Sequence, residues 1–110
     1  MEIENKPWGK YKVLINTHNY KVTEAVVRPE EQLSLQYRNH TAITWTIVQG
    51  SARIRKGHLI KTVDGDNLPY NITIPKGEHH MIENIGDDEL VFIEVQTGTN
   101  YLDDLIIVEE

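Results

Sequence analysis

The stretch LSLQYRNHTAITWTIVQG, residues 33–50, decides the fold because polar and apolar side chains alternate along it. Successive side chains of a β-strand point to opposite faces, so Gln36, Arg38 and His40 are predicted to share one face of a first strand. A turn near Thr41 leads into a second strand that ends at a glycine. The apolar residues predicted on one face of that second strand are Ile43, Trp45 and Ile47.

A second polar segment, PKGEHHMIEN, covers residues 75–84. Alternation along a strand turns His80 toward one face and His79 toward the other, so His79 is predicted at the surface. If this segment and residues 33–50 face one cavity, the cavity between them is the predicted functional site.

The composition limits the possible classes of protein. A length of 110 residues predicts a single domain, residues 1–110, with one core. The chain has no cysteine, no secretory signal pattern and no apolar run long enough to cross a bilayer, so a cytoplasmic location without membrane contact is expected. A net charge of −6 disfavours nucleic acid as a partner, because phosphate backbones require a cationic surface.

Valine-rich and tyrosine-rich segments separated by turn residues predict successive β-hairpins. Residues 10–16 and 20–28 flank a Thr-His-Asn turn, and residues 51–56 and 58–63 flank Gly57. Further strands are predicted at 70–75, 79–83, 89–96 and 105–110, with a turn at 64–67.

Only residues 99–105, TNYLDDL, are predicted to form a helical turn, with Asp103 and Asp104 capping or ending it. Elsewhere no segment keeps a helical period, and glycines recur every seven to twelve residues or so from Gly50 onward. The pattern predicts an all-β sandwich or barrel. Closure into a barrel is expected to remove the exposed edges of an open sheet.

The two polar segments resemble the paired motifs of the cupin superfamily, G-x5-H-x-H-x3,4-E-x6-G and G-x5-P-x-G-x2-H-x3-N. The second motif is matched by Pro75, Gly77, His80 and Asn84. The first is matched in spacing, and the residues at its two histidines, its glutamate and its closing glycine are Gln36, Arg38, Ile43 and Gly50. The resemblance implies a cupin double-stranded β-helix, which is a small jelly-roll barrel.

Five short segments narrow the resemblance to the cupin domain of type II mannose-6-phosphate isomerases. In that family the domain is often fused behind a mannose-1-phosphate guanylyltransferase, and these 110 residues contain no such domain, so no guanylyltransferase activity is expected. The resemblance implies a divalent metal that polarises a sugar phosphate during aldose–ketose isomerisation. The segments are KPWGKY (6–11), LSLQY (33–37), IPKGEHH (74–80), IEVQTG (93–98) and YLDD (101–104).

The metal ligands implied by the resemblance are only half retained. Gln36 and His80 occupy ligand positions, whereas Arg38 and Ile43 replace the other two. A guanidinium cannot bind a metal and its charge opposes a nearby cation, and an isoleucine offers no donor atom. The expectation is therefore a degenerate site without a cofactor, with zinc, manganese, nickel or iron as the metals to test. His40 is either a replacement ligand or a rim histidine exposed to solvent.

Arg38 has two interpretations. A guanidinium is a planar fork of donors, so one interpretation is an anchor for a phosphate or carboxylate. The other is a structural ion pair with Glu24, Glu83 or Glu94, since a buried charge must be paired. Trp45 is similarly interpreted as a core residue or as a stacking surface for a sugar. The predicted ligand-binding residues are Arg38, His40, Trp45, Glu94 and Gln96, and no catalytic residue is assigned.

Three functions remain open, and enzymatic activity is left undecided between them. The first is a sugar-phosphate isomerase with a remodelled metal site. The second is a metal-free cupin that binds a sugar, a sugar phosphate or a similar small anion. The third is a structural or regulatory module that partners a nucleotidyltransferase. The apolar strands near both ends of the chain also predict a homodimer formed through edge strands.

Overall fold

A computed structural model of the chain describes residues 2–98 and 104–109, and the all-β prediction is confirmed there. Within those ranges the only helical element is a single 3-10 turn, Gly65–Asn67. The strands, in chain order, are β1 (Glu2–Lys6), β2 (Gly9–Asn16), β3 (Tyr20–Val27), β4 (Leu35–Arg38), β5 (Thr41–Gln49), β6 (Ala52–Lys56), β7 (Leu59–Val63), β8 (Tyr70–Ile74), β9 (His80–Asn84), β10 (Leu90–Gly98) and β11 (Leu105–Glu109).

The predicted hairpins are confirmed. β2 pairs with β3 and β6 with β7, both antiparallel. Thr17 organises the turn of the first hairpin, because its hydroxyl donates to the carbonyl of Tyr20 at 3.1 Å. The strand β1 was not predicted. It is an exposed edge strand whose side chains are mostly polar, so it lacks the alternation that reveals a half-buried strand.

Two antiparallel sheets face each other in the double-stranded β-helix predicted from the motifs. Sheet A has the strand order β1-β2-β3-β10-β5-β8, and sheet B has the order β11-β4-β9-β6-β7. The expectation that closure removes the edges is wrong for the described residues. In these pairings β1, β8, β11 and β7 each end a sheet.

The stretch that decides the fold forms β4 and β5, which belong to different sheets. The predicted first strand begins at Leu33, whereas β4 begins at Leu35. Leu33 lies before β4 and donates its amide to the carbonyl of Ile82 at 2.9 Å. β5 alternates between buried and more exposed residues over most of its length, as predicted. Gly50 follows β5 with φ +91°, and an added Cβ would lie 2.9 Å from the carbonyl oxygen of Glu89. Glycine is therefore required where this strand ends.

The core lies between the two sheets and is filled by inward side chains from both. Its largest fully buried members are Trp45, Phe92 and Leu33. The predicted helical turn over residues 99–105 falls mostly outside the described residues, and Leu105 is the first residue of β11. Among the described residues, no helix has the length and apolar character needed to cross a membrane.

Candidate functional site

Sheet A presents its inward side chains in rows that run across β3, β10 and β5. One row places Glu94 between Thr23 and Trp45, and all three residues are buried. The next row places Gln96 between Lys21 and Ile43. The alternation of β-strands thus sets polar groups on an otherwise apolar inner wall, close to one end of the barrel.

Arg38 reaches from β4 in sheet B toward this wall and lies between two carboxylates. Its Nη2 is 3.6 Å from Oε2 of Glu94, and its Nη1 is 3.2 Å from Oδ1 of Asp104. The Arg38 side chain is only 13% exposed, and its buried Nε has no hydrogen-bond partner among the described residues. The guanidinium is therefore part of a buried ion network, which we call the Arg38 network and which comprises Arg38, Glu94 and Asp104.

The other two carboxylates considered as partners of Arg38 lie elsewhere. Glu24 is 3.9 Å from the Lys12 ammonium, and Glu83 accepts a hydrogen bond from Arg53 at 2.9 Å. Both pairs are partly exposed to solvent. Of the three glutamates proposed as partners, Glu94 is the one that Arg38 contacts.

Asp104 is the hub of the polar contacts at this end of the barrel. Its Oδ2 accepts hydrogen bonds from the His40 amide at 3.0 Å and from the Thr41 hydroxyl at 2.8 Å. Burial opposes ionisation, but these two hydrogen bonds and the Arg38 charge outweigh it and lower the pKa of Asp104. A carboxylate that precedes β11 therefore ties the C-terminal strand to β4, β5 and the interior.

Gln36 and His80 face each other as register partners on β4 and β9, so the two polar segments do meet in one interior. The Gln36 amide donates to the Ser34 carbonyl at 2.8 Å. The Nδ1 atom of His80 is 3.0 Å from the Glu78 carbonyl oxygen, and the His80 ring meets Trp45 edge to face at 5.4 Å. Burial lowers the pKa of His80, because a charged imidazolium is poorly solvated there.

Trp45 lies at the centre of the core. It is 0% exposed, its ring packs 5.2 Å from Phe92, and its Nε1 donates to Oε1 of Glu94 at 2.9 Å. No face of the indole is available for a sugar to stack on in this conformation. The tryptophan instead orients Glu94 toward Arg38, because it engages the other carboxylate oxygen.

A shallow depression opens beside the Arg38 network, where β3 and β5 begin and β10 ends. Gln96 connects the two, because its Nε2 is 3.1 Å from the Thr41 hydroxyl and 3.5 Å from Oδ1 of Asp104. His40 lies nearby and is exposed. We call this feature the mouth depression, and its lining residues are Asn19, Tyr20, Lys21, Thr41, Gln96, Thr97 and Gly98.

Comparison with known proteins identifies the family. The family model described as "Mannose-6-phosphate isomerase C-terminal" matches residues 2–110. The chain belongs to the mannose-6-phosphate isomerase C-terminal family. This match confirms the resemblance drawn from the short sequence segments.

A curated relative of this family member is the mannose-1-phosphate guanylyltransferase RfbM of Salmonella typhimurium, which is 37% identical over 107 residues. The match covers 96% of the chain and 22% of RfbM. The chain thus spans about a fifth of the length of the curated relatives it matches, and other relatives are also mannose-1-phosphate guanylyltransferases.

Solved structures confirm the fold of this family member as a cupin double-stranded β-helix. The capsular polysaccharide assembling protein CapF of Staphylococcus aureus superimposes with a TM-score of 0.85 at 22% identity, over 99% of this chain and 34% of CapF. An uncharacterised protein of Klebsiella pneumoniae with a double-stranded β-helix domain gives a TM-score of 0.77 at 19% identity, over 89% and 82% of the two chains.

The residues of this mannose-6-phosphate isomerase C-terminal domain do not fit a divalent metal. No group of three or more histidine, aspartate or glutamate side chains in residues 2–98 and 104–109 is arranged to hold one. Gln36 and His80 could offer a metal only uncharged oxygen and nitrogen atoms. The Arg38 guanidinium, which is held by two carboxylates, offers none. Ile43 contributes only methyl groups to the core, so two of the four ligand positions supply no metal ligand.

Three residues of the site were not singled out from the sequence as site residues. Asp104 was considered a cap, Thr41 a turn residue, and Tyr11 only part of a family segment. Burial and the charge of Glu94 raise the pKa of Tyr11, so its hydroxyl stays protonated beside the network. The YLDD segment, residues 101–104, could have pointed to Asp104. A carboxylate within a segment typical of the family is expected to pair with a charged or hydrogen-bonding group elsewhere in the domain.

Proposed function

We propose that this domain binds a mannose-type sugar phosphate at the open end of the barrel, without a metal and without isomerising the sugar. The observation that carries the proposal is the Arg38 network. A guanidinium held by Glu94 and Asp104 takes up the inward polar positions that a metal-dependent isomerase would need for ligands.

The chemistry of isomerisation argues against turnover. Moving a proton between neighbouring carbons requires a base at the sugar and an electrophile that polarises its carbonyl. His80 is 1% exposed, and Glu94 is held by Trp45 and Arg38, so neither presents a free basic atom to a sugar at the surface. Recognition by hydrogen bonding requires no such group and suits the side chains that remain.

The polar groups at the open end suit a polyhydroxylated ligand. Gln96 and Thr41 line the mouth depression with an amide and a hydroxyl group, and the buried carboxylate of Asp104 holds them in place. Amide and hydroxyl groups both donate and accept the hydrogen bonds that sugar hydroxyls require. The names of the family and of its guanylyltransferase relatives support mannose phosphates as the class to test.

Titration of the 15N-labelled protein in excess EDTA tests the proposal. Mannose 6-phosphate and mannose 1-phosphate are expected to shift the backbone amide signals of Thr41, Gln96 and Gly98 in a saturable way. Gln96→Ala should weaken binding about tenfold, because one interior hydrogen-bonding group is lost. Gln49→Ala, at the far end of β5, should leave affinity unchanged and serves as the matched control. Absence of saturable shifts in the wild-type protein would refute the proposal.

A second role, docking onto a guanylyltransferase domain, is favoured by a separate observation. The matched relative RfbM is several times longer than this chain, so the domain occurs there beside further sequence. The edge strand β11 exposes Ile106, Ile107 and Val108, which offer an apolar surface for such a partner or for a second copy of the chain. Sedimentation of the protein alone and with a guanylyltransferase separates a homodimer from a mixed complex.

A further inference from the structure

Of the lysines that form no ion pair with a carboxylate in residues 2–98 and 104–109, Lys21 is half-buried, whereas Lys10, Lys61 and Lys76 are exposed. Lys6, Lys12 and Lys56 each lie within 4.0 Å of a glutamate, whereas no carboxylate in residues 2–98 and 104–109 forms an ion pair with Lys21. Lys21 is half-buried and belongs to the inward row that contains Gln96. Its ammonium is thus a cation without a carboxylate partner in the described protein, at the wall of a depression.

Charge is distributed unevenly around the mouth depression, with the Arg38 network on one side and Lys21 on the β3 side. The Arg38 network carries one positive and two negative charges, so its net charge is negative. An anion is therefore repelled from the network itself. Lys21 offsets that charge on the β3 side of the depression, whose lining also includes Asn19. The depression is polarised, with a cation on β3 and hydrogen-bonding groups linked to Asp104 on the neighbouring strands β10 and β5.

We propose that Lys21 is the anchor for the phosphate of the ligand, with Asn19 as a neighbouring donor, and that the sugar hydroxyls face Thr41 and Gln96. The inference rests on the proposed function and assigns the phosphate of the ligand to the β3 side of the depression and its sugar to the side formed by β10 and β5. It differs from the sequence-based interpretation in which Arg38 is the anion anchor, because both terminal nitrogens of Arg38 already face carboxylates. The class of ligand is a phosphate monoester of a hexose.

The test compares mannose 6-phosphate, mannose and inorganic phosphate on the wild-type protein, Lys21→Ala, Lys21→Arg and Lys10→Ala by calorimetry in EDTA. Lys10 is an exposed lysine of β2, so its removal changes net charge equally and provides the control. Lys21→Ala is expected to weaken mannose 6-phosphate binding about tenfold or more, because a charge-assisted contact is lost. Its affinity for mannose should be unchanged, and Lys21→Arg should retain phosphate ester binding.

The outcomes separate the role of Lys21 from the proposed function. If the wild-type protein binds mannose and mannose 6-phosphate equally well, or if Lys21→Ala and Lys10→Ala weaken binding equally, the role of Lys21 is refuted while the proposed function stands. If the wild-type protein binds neither sugar, both claims are refuted. If inorganic phosphate binds as tightly as mannose 6-phosphate, Lys21 holds a free anion and the assignment of the sugar to the side formed by β10 and β5 is refuted.

Discussion

The guanidinium of Arg38 lies 3.2 Å from the carboxylate of Asp104, although the two residues are 66 positions apart in the chain. One belongs to β4, and the other immediately precedes β11, the strand that pairs with β4. The ion pair therefore lies beside the pairing that attaches the edge strand β11 to sheet B. Loss of this ion pair should lower the stability of the domain and weaken the attachment of the C-terminal strand β11.

Asp104→Asn is predicted to lower the free energy of unfolding by about 3 kcal/mol, because removal of one partner leaves a buried charge undercompensated. In this variant the amides of β11 should also exchange with deuterium faster than they do in the wild-type protein, and the amides of β9 should be accelerated less. Urea denaturation and hydrogen exchange measure the two effects. Glu83→Gln removes a carboxylate from the more exposed pair with Arg53 and should cost less than about 1 kcal/mol. Equal losses in the two variants would contradict a special role for Asp104.

Acid is predicted to destabilise the domain through His80. The folded state lowers the pKa of this group, so below a pH of about 6.5 the unfolded chain binds a proton that the folded protein does not. The free energy of unfolding should therefore fall as the pH drops below that value, by at most about 1.4 kcal/mol per pH unit. Asp104, whose pKa is also lowered, adds to the loss only below a pH of about 4.

The same denaturation series on His80→Gln should show a shallower slope between pH 7 and pH 5. His58→Gln changes an exposed histidine in the β6–β7 turn and should keep the wild-type slope. An unchanged slope in His80→Gln would mean that the buried imidazole is not the group responsible.

The double variant Arg38→His with Ile43→Glu is predicted to gain divalent metal binding. It removes the opposing charge and adds two donors beside Gln36 and His80, which gives nitrogen and oxygen ligands in the interior. Cobalt absorption in the visible range reports binding. Ile43→Glu alone should remain inactive in this assay, because Arg38 is still present. A folded double variant that binds no cobalt would contradict the alignment of the first cupin motif.

Much of the fold was predictable because its signals are local. Alternation identified β5, and turn residues identified the two predicted hairpins. The strand β1 escaped prediction because an exposed edge strand has no buried face to pattern. The extent of β4 was also overestimated, since Leu33 is buried through a contact outside that strand.

The partners of Arg38 depended on information that is not local. Glu24 and Glu83 both neighbour buried inward residues in their strands and therefore face outward, but the register that fixes this is set by strand pairing. Asp104 is brought to Arg38 only by the pairing of β11 with β4. The types of residue in the site were thus readable from the sequence, whereas the ionic connections required the three-dimensional arrangement.

The most direct test of the central claim is a combined measurement of metal content and turnover. The purified protein is incubated separately with zinc, manganese, nickel and iron, desalted, analysed for bound metal and supplied with mannose 6-phosphate while NMR follows the formation of fructose 6-phosphate. With the Arg38 network in place of metal ligands, we predict far less than one metal per chain and no fructose 6-phosphate above the protein-free rate. About one metal per chain together with metal-dependent formation of fructose 6-phosphate would contradict the claim.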